Sequence, residues 1–152
     1  MELNEYKKFL HKYFKSHGFE KIKSKYYLNG NGFLCMIHFY RSYYGPVYYF
    51  DYYFFLGDFE KPYNINQESV KTYTPFVGSR FFFSEKDNCS CSYLEYSELD
   101  LKNYLDKNLS ERITPVFEFG KNYLLKHFGT LYSCDFLDEE KIKALLKDKT
   151  NE

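Results

Sequence analysis

Several things are scarce in this sequence. Its 152 residues carry no net charge, with 21 basic against 21 acidic side chains. There are four cysteines, four valines and one alanine, Ala144. No apolar run approaches the roughly 18 residues that a membrane span requires; the most apolar stretch, Val47 to Leu56, is interrupted by Asp51. Each shortage excludes something. Without a basic excess the chain lacks the footprint by which a general nucleic-acid binder displaces counterions. The Lys-rich first segment with Tyr13, Tyr26 and Tyr27 leaves room only for a minor single-strand role. Cys89-Ser90-Cys91 has one intervening residue, too close for a zinc knuckle or redox pair, so no metal, cofactor or disulfide framework is expected. The N-terminus has early acids and no apolar core of a signal peptide, which predicts a cytoplasmic protein with no membrane partner.

Aromatics fill the gap: 17 Phe and 18 Tyr make up 23% of the chain. The abundance of Lys, Asn, Tyr and Phe follows AT-rich codons, so most of these rings are expected to fill a core. A length near 150 suits one domain, here residues 1–152, with 146–152 as a frayed tail. Leu3, Tyr6, Phe9, Leu10, Tyr13, Phe14 and His17 recur at three- and four-residue spacing and predict an opening helix stopped by Gly18. Lys25 to Leu28, the turn Asn29-Gly30-Asn31-Gly32, Phe33 to Tyr40, and Val47 to Leu56 predict a three-stranded meander. Alternation places Tyr48, Phe50, Tyr52, Phe54 and Leu56 on one face. The opposite face, with His38 and Asp51, is the expected solvent or partner face. Ser79 to Ser84 and Cys91 to Tyr96 are read as fourth and fifth strands. The last third is helical: Ser97 opens a capping box with Asp100, Thr114-Pro115 starts another helix, and Asp138 caps a short one carrying Ile142, Leu145 and Leu146. The expectation is an α+β fold: an antiparallel sheet of about five strands, with the N-terminal and C-terminal helices packed mainly on one face.

Three stretches then resemble a known family. His17-Gly18-Phe19-Glu20-Lys21, Phe39-Tyr40-Arg41-Ser42 and Phe54-Phe55-Leu56-Gly57 are similar to the helix exit, the strand ending in a basic residue plus Ser, and the Gly-terminated strand of the bacterial domain of unknown function numbered 4304. The resemblance implies no activity and no catalytic set. It implies a neighbourhood, since some members look like antidotes in toxin–immunity loci.

Chemistry is sparse. No phosphate loop, dinucleotide fingerprint, HExxH or GxSxG occurs. His38 is a conceivable base without an accompanying nucleophile. Charge is distributed more tellingly: residues 1–25 hold seven Lys against three acids, and residues 26–100 hold five basic against nine acidic residues. Acids among tyrosines suit recognition of a basic protein, although a plainly solvated face explains them equally. The expectation is therefore a non-enzymatic protein-binding domain, an immunity-type antidote masking a toxin domain. Its contact residues are Tyr43, Tyr44, Tyr49, Asp51, Tyr53, Asp58 and Glu60. The alternative is a small-ligand pocket beside the sheet, gated by residues 61–76.

Overall fold

In the computed structural model, which describes residues 1–57, 59, 76–84, 88–134, 140–141 and 143–144, the first helix is the one its spacing predicts. Helix α1 (Leu3–Ser16) buries Tyr6, Leu10, Tyr13 and Phe14. Gly18, at φ +87°, ends it, and the Phe19 N–H closes back on the Phe14 carbonyl at 3.0 Å. That is the wide turn of a Schellman end, which favours glycine.

Five strands follow: β1 (Glu20–Ile22), β2 (Lys25–Gly30), β3 (Phe33–Arg41), β4 (Tyr48–Leu56) and β5 (Phe76–Arg80). They form one antiparallel sheet in sequence order. The turn between β2 and β3 needs two residues with positive φ, and Asn31 (φ +49°) and Gly32 (φ +79°) supply them. Asn31 also donates from Nδ2 to the Phe117 carbonyl at 2.9 Å, tying this hairpin to the helical layer.

The inner face carries the alternation expected of β4, and its rings continue across the sheet. Phe14 stacks on Tyr26 at 4.6 Å, Tyr26 on Phe39 at 5.7 Å, Phe39 on Phe50 at 5.9 Å and Phe50 on Phe81 at 5.9 Å. Each such pair contributes about 0.5–1.5 kcal/mol beyond the area it buries. Leu101, Leu105, Leu109, Ile113, Val116 and Leu124 close over the same core, so the helices lie on one face, as expected.

The sheet differs from the sequence reading at three places. Glu20–Ile22 is a strand because it pairs with β2 through a tight turn at Lys23 (φ +58°) and Ser24, a turn without Gly or Asn to announce it. The fourth expected strand shifts towards the N-terminus: the ladder ends at Arg80, and Phe81–Phe83 leave it. A side chain replaces the missing neighbour there. Asn108 accepts from the Phe82 N–H at 3.0 Å and donates to its carbonyl at 2.8 Å, as a strand would. Cys91 to Tyr96 is likewise not a strand; one bridge joins Cys91 to Tyr48, and Tyr93–Glu95 forms a 3-10 turn.

Helix α2 (Glu98–Asn108) begins with the expected capping box: Ser97 Oγ accepts from the Asp100 N–H at 3.1 Å. Thr114 starts no separate helix, however. The chain runs from α2 through a π-helical turn at Leu109–Ile113 into α3 (Thr114–Phe119), and α4 (Lys121–Lys126) follows Gly120. Pro115 has no N–H for the Glu111 carbonyl four residues back. The Tyr123 hydroxyl donates to that carbonyl at 2.6 Å instead, and the Tyr132 hydroxyl to the Arg112 carbonyl at 2.7 Å. Of the helix expected after Asp138, residues 140–141 and 143–144 are helical, whereas Asp138, Ile142, Leu145, Leu146 and the tail 146–152 lie outside the described residues.

Gly78 in β5 tests the packing. A Cβ there would be driven into the Tyr52 carbonyl oxygen and the Tyr53 ring, and its backbone exchanges two 2.9 Å hydrogen bonds with Ser133. Gly78→Ala is expected to cost roughly 3 kcal/mol. Chemical denaturation showing a loss within about 0.5 kcal/mol, the range of surface substitutions, would contradict this packing.

Candidate functional site

The outer face of the sheet divides in two. At one end Tyr27, Leu34, Met36 and Phe55 are buried in a second small cluster, with Tyr53 and Phe59 packed against it. Here the expectation of an open face needs correction: Tyr53 does share the face of Tyr49 and Asp51, but it leans on apolar neighbours. At the other end the face stays polar and open.

Cross-strand register builds that polar end. Antiparallel pairing sets Lys25 beside His38, His38 beside Asp51, Asp51 beside Arg80, and Tyr40 beside Tyr49. Arg80 is clamped on three sides. Its Nε donates to Asp51 Oδ1 at 2.8 Å, Nη2 donates to the Tyr40 hydroxyl at 2.6 Å, and the guanidinium lies 4.9 Å from the centre of the Tyr49 ring. The Asp51 charge is therefore already paired. The cations on Lys25 and Arg80 could not be assigned to this face from the sequence, because only strand register brings them there.

His38 sits between opposing influences. Burial pushes its pKa below the ordinary 6.5, Lys25 adds to that, and Asp51 opposes it. The ring is thus held mostly neutral at pH 7, 5.3 Å from the Tyr40 ring. Burial and Lys23 likewise lower the Lys25 pKa.

The strip has two ends. β2 begins at Lys25, opposite His38, while β3 continues to Arg41, so β3 overhangs its neighbour. The notch is a groove of about 390 Å3 lined by Lys7, Lys21, Lys23, His38, Tyr40 and Arg41. Beyond Arg41 the β3–β4 loop is closed by Ser42 N–H bonding to the Val47 carbonyl at 2.9 Å. At its tip Tyr43 and Tyr44 are 101% and 98% exposed. The structure thus gathers Tyr43, Tyr44, Tyr49 and Asp51 towards the loop end of the β3–β4 hairpin and sets Tyr53 apart. Asp58, Glu60 and residues 61–75 of the expected gating loop lie outside the described residues.

Among the described residues no three His, Cys, Asp or Glu side chains are placed to hold a metal. No described helix is long and apolar enough to cross a membrane. Cys35 is fully buried and its thiol pKa is pushed well up by that burial, which makes it a packing group.

A model of the family described as "Domain of unknown function (DUF4304)" matches residues 10–119. The match takes in the second half of α1, all five strands and the helical stretch through α3. No curated protein and no solved structure matches the chain.

The electrostatics of the strip can be read by NMR titration. His38 should titrate below 6.5, rise in Lys25→Met and fall further in Asp51→Asn. A depressed folded-state pKa means that the unfolded chain binds this proton first. His38 therefore contributes stability above pH 6.5 that is lost as pH falls through its folded-state pKa. A His38 pKa at or above 6.5, or opposite signs in the two variants, would show that the strip is wired differently.

Proposed function

This chain belongs to the DUF4304 family, and from that premise we propose that it works by binding another protein rather than by catalysis. One observation carries the reading: Tyr43 and Tyr44 stand side by side, fully exposed, on a tight loop braced by the longest hairpin of the sheet. Two adjacent large rings held in water are costly unless they serve a contact. Tyrosine offers broad area with two side-chain torsions to fix, and interface anchors favour it. The loop is also prepared in advance, since Ser42 bonds across it to Val47 and its Oγ accepts from the Tyr44 N–H at 3.1 Å. Less freedom is then lost on binding.

Behind the tip, Tyr40, Tyr49 and the Asp51–Arg80 pair form a rim of aromatic faces and satisfied polar groups, the composition of a recognition surface. Arg80, clamped by three neighbours, stiffens it. The antidote form of this proposal, with a basic toxin domain as partner, rests on the antidote-like character of some members of the family and on the acids of residues 26–100. In that form the loop would sit against the toxin's working surface, and the chain would act by obstruction.

The tip can be removed without touching the core. A tagged Tyr43→Ser/Tyr44→Ser chain should keep its unfolding midpoint, because exposed substitutions shift stability by about 0.5 kcal/mol or less. It should lose the partner that the unaltered bait retains from lysate of the source cells. Loss of two anchors corresponds to roughly a thousandfold weaker binding. Equal recovery of the same partner by both baits would refute the loop as the contact.

A further inference from the structure

Burial and charge conflict at one position in the helical layer. Arg112 is 6% exposed, and it and Asn108 are the buried polar side chains among the described residues. No carboxylate among the described residues pairs with it. Its Nε donates to Asn108 Oδ1 at 3.1 Å, and its guanidinium lies 4.6 Å from the centre of the Phe82 ring. A buried ion without a counter-ion is strongly disfavoured, and most such groups escape by neutralising. Arginine does not lose its proton, so that route is closed.

Arg112 instead forms part of the wall of a pocket of about 320 Å3, together with Phe82, Ser84, Asn103, Lys107 and Glu111. Glu111 and Arg112 enter that wall from the π-helical turn at Leu109–Ile113, a distortion that recurs at functional sites. Asn108 is fully committed: it donates to the Phe82 and Tyr104 carbonyls at 2.8 Å each and accepts from Phe82 N and Arg112 Nε. The amide therefore fixes the plane of the guanidinium in advance and occupies its Nε. On its other side the guanidinium hydrogen-bonds the Tyr52 hydroxyl, whose pKa is raised to about 12 by burial and held from rising further by this cation, so the remaining Nη hydrogens are what Arg112 has left for the pocket it lines.

We propose that this pocket binds a small carboxylate-bearing molecule, its carboxylate received by Arg112 with Lys107 as the second cation. The planar guanidinium matches a carboxylate through paired parallel hydrogen bonds, and a low-dielectric wall strengthens them. Glu111 at the same pocket opposes a multiply charged phosphate, and it suits a ligand carrying an amine next to its carboxylate. The volume, at the small end for ligand sites, fits a molecule the size of a free amino acid. None of these residues belongs to the Tyr43–Tyr44 loop or its rim, so this site stands or falls independently of the protein-binding reading.

The test is an NMR titration of the full, 15N-labelled chain with acetate, L-glutamine and inorganic phosphate as probes. The backbone amides of Phe82 and residues 103–112 and the Arg112 Nε–H signal are followed. The expected result is saturable movement of these signals together by acetate or L-glutamine. Lys107→Ala should weaken that binding about tenfold or more, the usual effect of losing one hydrogen bond to a charged group. Arg112→Lys should abolish it; if that variant does not fold, Lys107→Ala decides alone. Phosphate binding more tightly than either carboxylate would overturn the assignment. So would the absence of saturation by all three probes, or movement unchanged in Lys107→Ala.

Discussion

Every tyrosine taken into this core brings a hydroxyl that must find a partner, and the fold is organised around meeting that demand. A chain with 18 Tyr and 17 Phe cannot build its interior from aliphatic groups alone. Phenol groups consequently act as cross-braces. Tyr52 reaches the Leu131 carbonyl at 2.5 Å, Tyr96 the Phe83 carbonyl at 2.9 Å, and Tyr13 the Asp106 carboxylate at 2.7 Å. Most of these acceptors lie in irregular backbone, where no ladder or helix would otherwise satisfy them. Burial is therefore what joins the loops to the sheet. Tyr26 is the exception: among the described residues its hydroxyl alone is sealed in without a partner, and burial raises its pKa to about 12.

The same accounting separates the two faces of the sheet. The inner face is a continuous aromatic layer against the helices, with hydroxyls that meet backbone carbonyls at Leu131 and Arg112 and side chains at Asp106 and Cys91. The outer face changes character along β3 and β4, from the apolar cluster around Leu34 and Phe55 to the polar strip around Arg80. That change is abrupt because alternating residues of one strand meet different neighbours at its two ends. The exposed loop lies beyond the polar end, so a partner seated there would meet aromatic rings first and paired charges next.

How much of this could be read in advance depended on whether the signal was periodic. Helix α1, the Asn31-Gly32 turn and the alternation of β4 were legible, since spacing and turn chemistry carry them without long-range help. Asp51 was legible as an outer-face residue, whereas its partner Arg80, 29 positions away, was not; only strand register makes that pair. β1 was missed because Lys23 and Ser24 form a tight turn with no sequence mark. Phe81–Phe83 looked like a strand by composition, yet the groups that pair Phe82 are supplied by one asparagine side chain. Asn108 and Arg112 were the hardest to see. Four residues apart in a polar stretch of helix, they resemble ordinary solvated positions, and only Pro115 hints that the helix there is irregular.

That irregularity has a consequence for how the sequence can change. A π-helical turn holds one residue more than an α-helical turn would, and the surplus is absorbed between Leu109 and Ile113. Deleting a single residue in that interval would restore regular bonding and improve the helix as a local object. The turns on either side would keep their phase, because the surplus is already absorbed within the π-helical turn, and Val116 would stay on the core. What would be lost is the widened turn itself, which presents the Glu111 and Arg112 carbonyls to Tyr123 and Tyr132. The extra residue thus acts locally: it reshapes one turn of the helix without changing how the stretches before and after it meet the sheet.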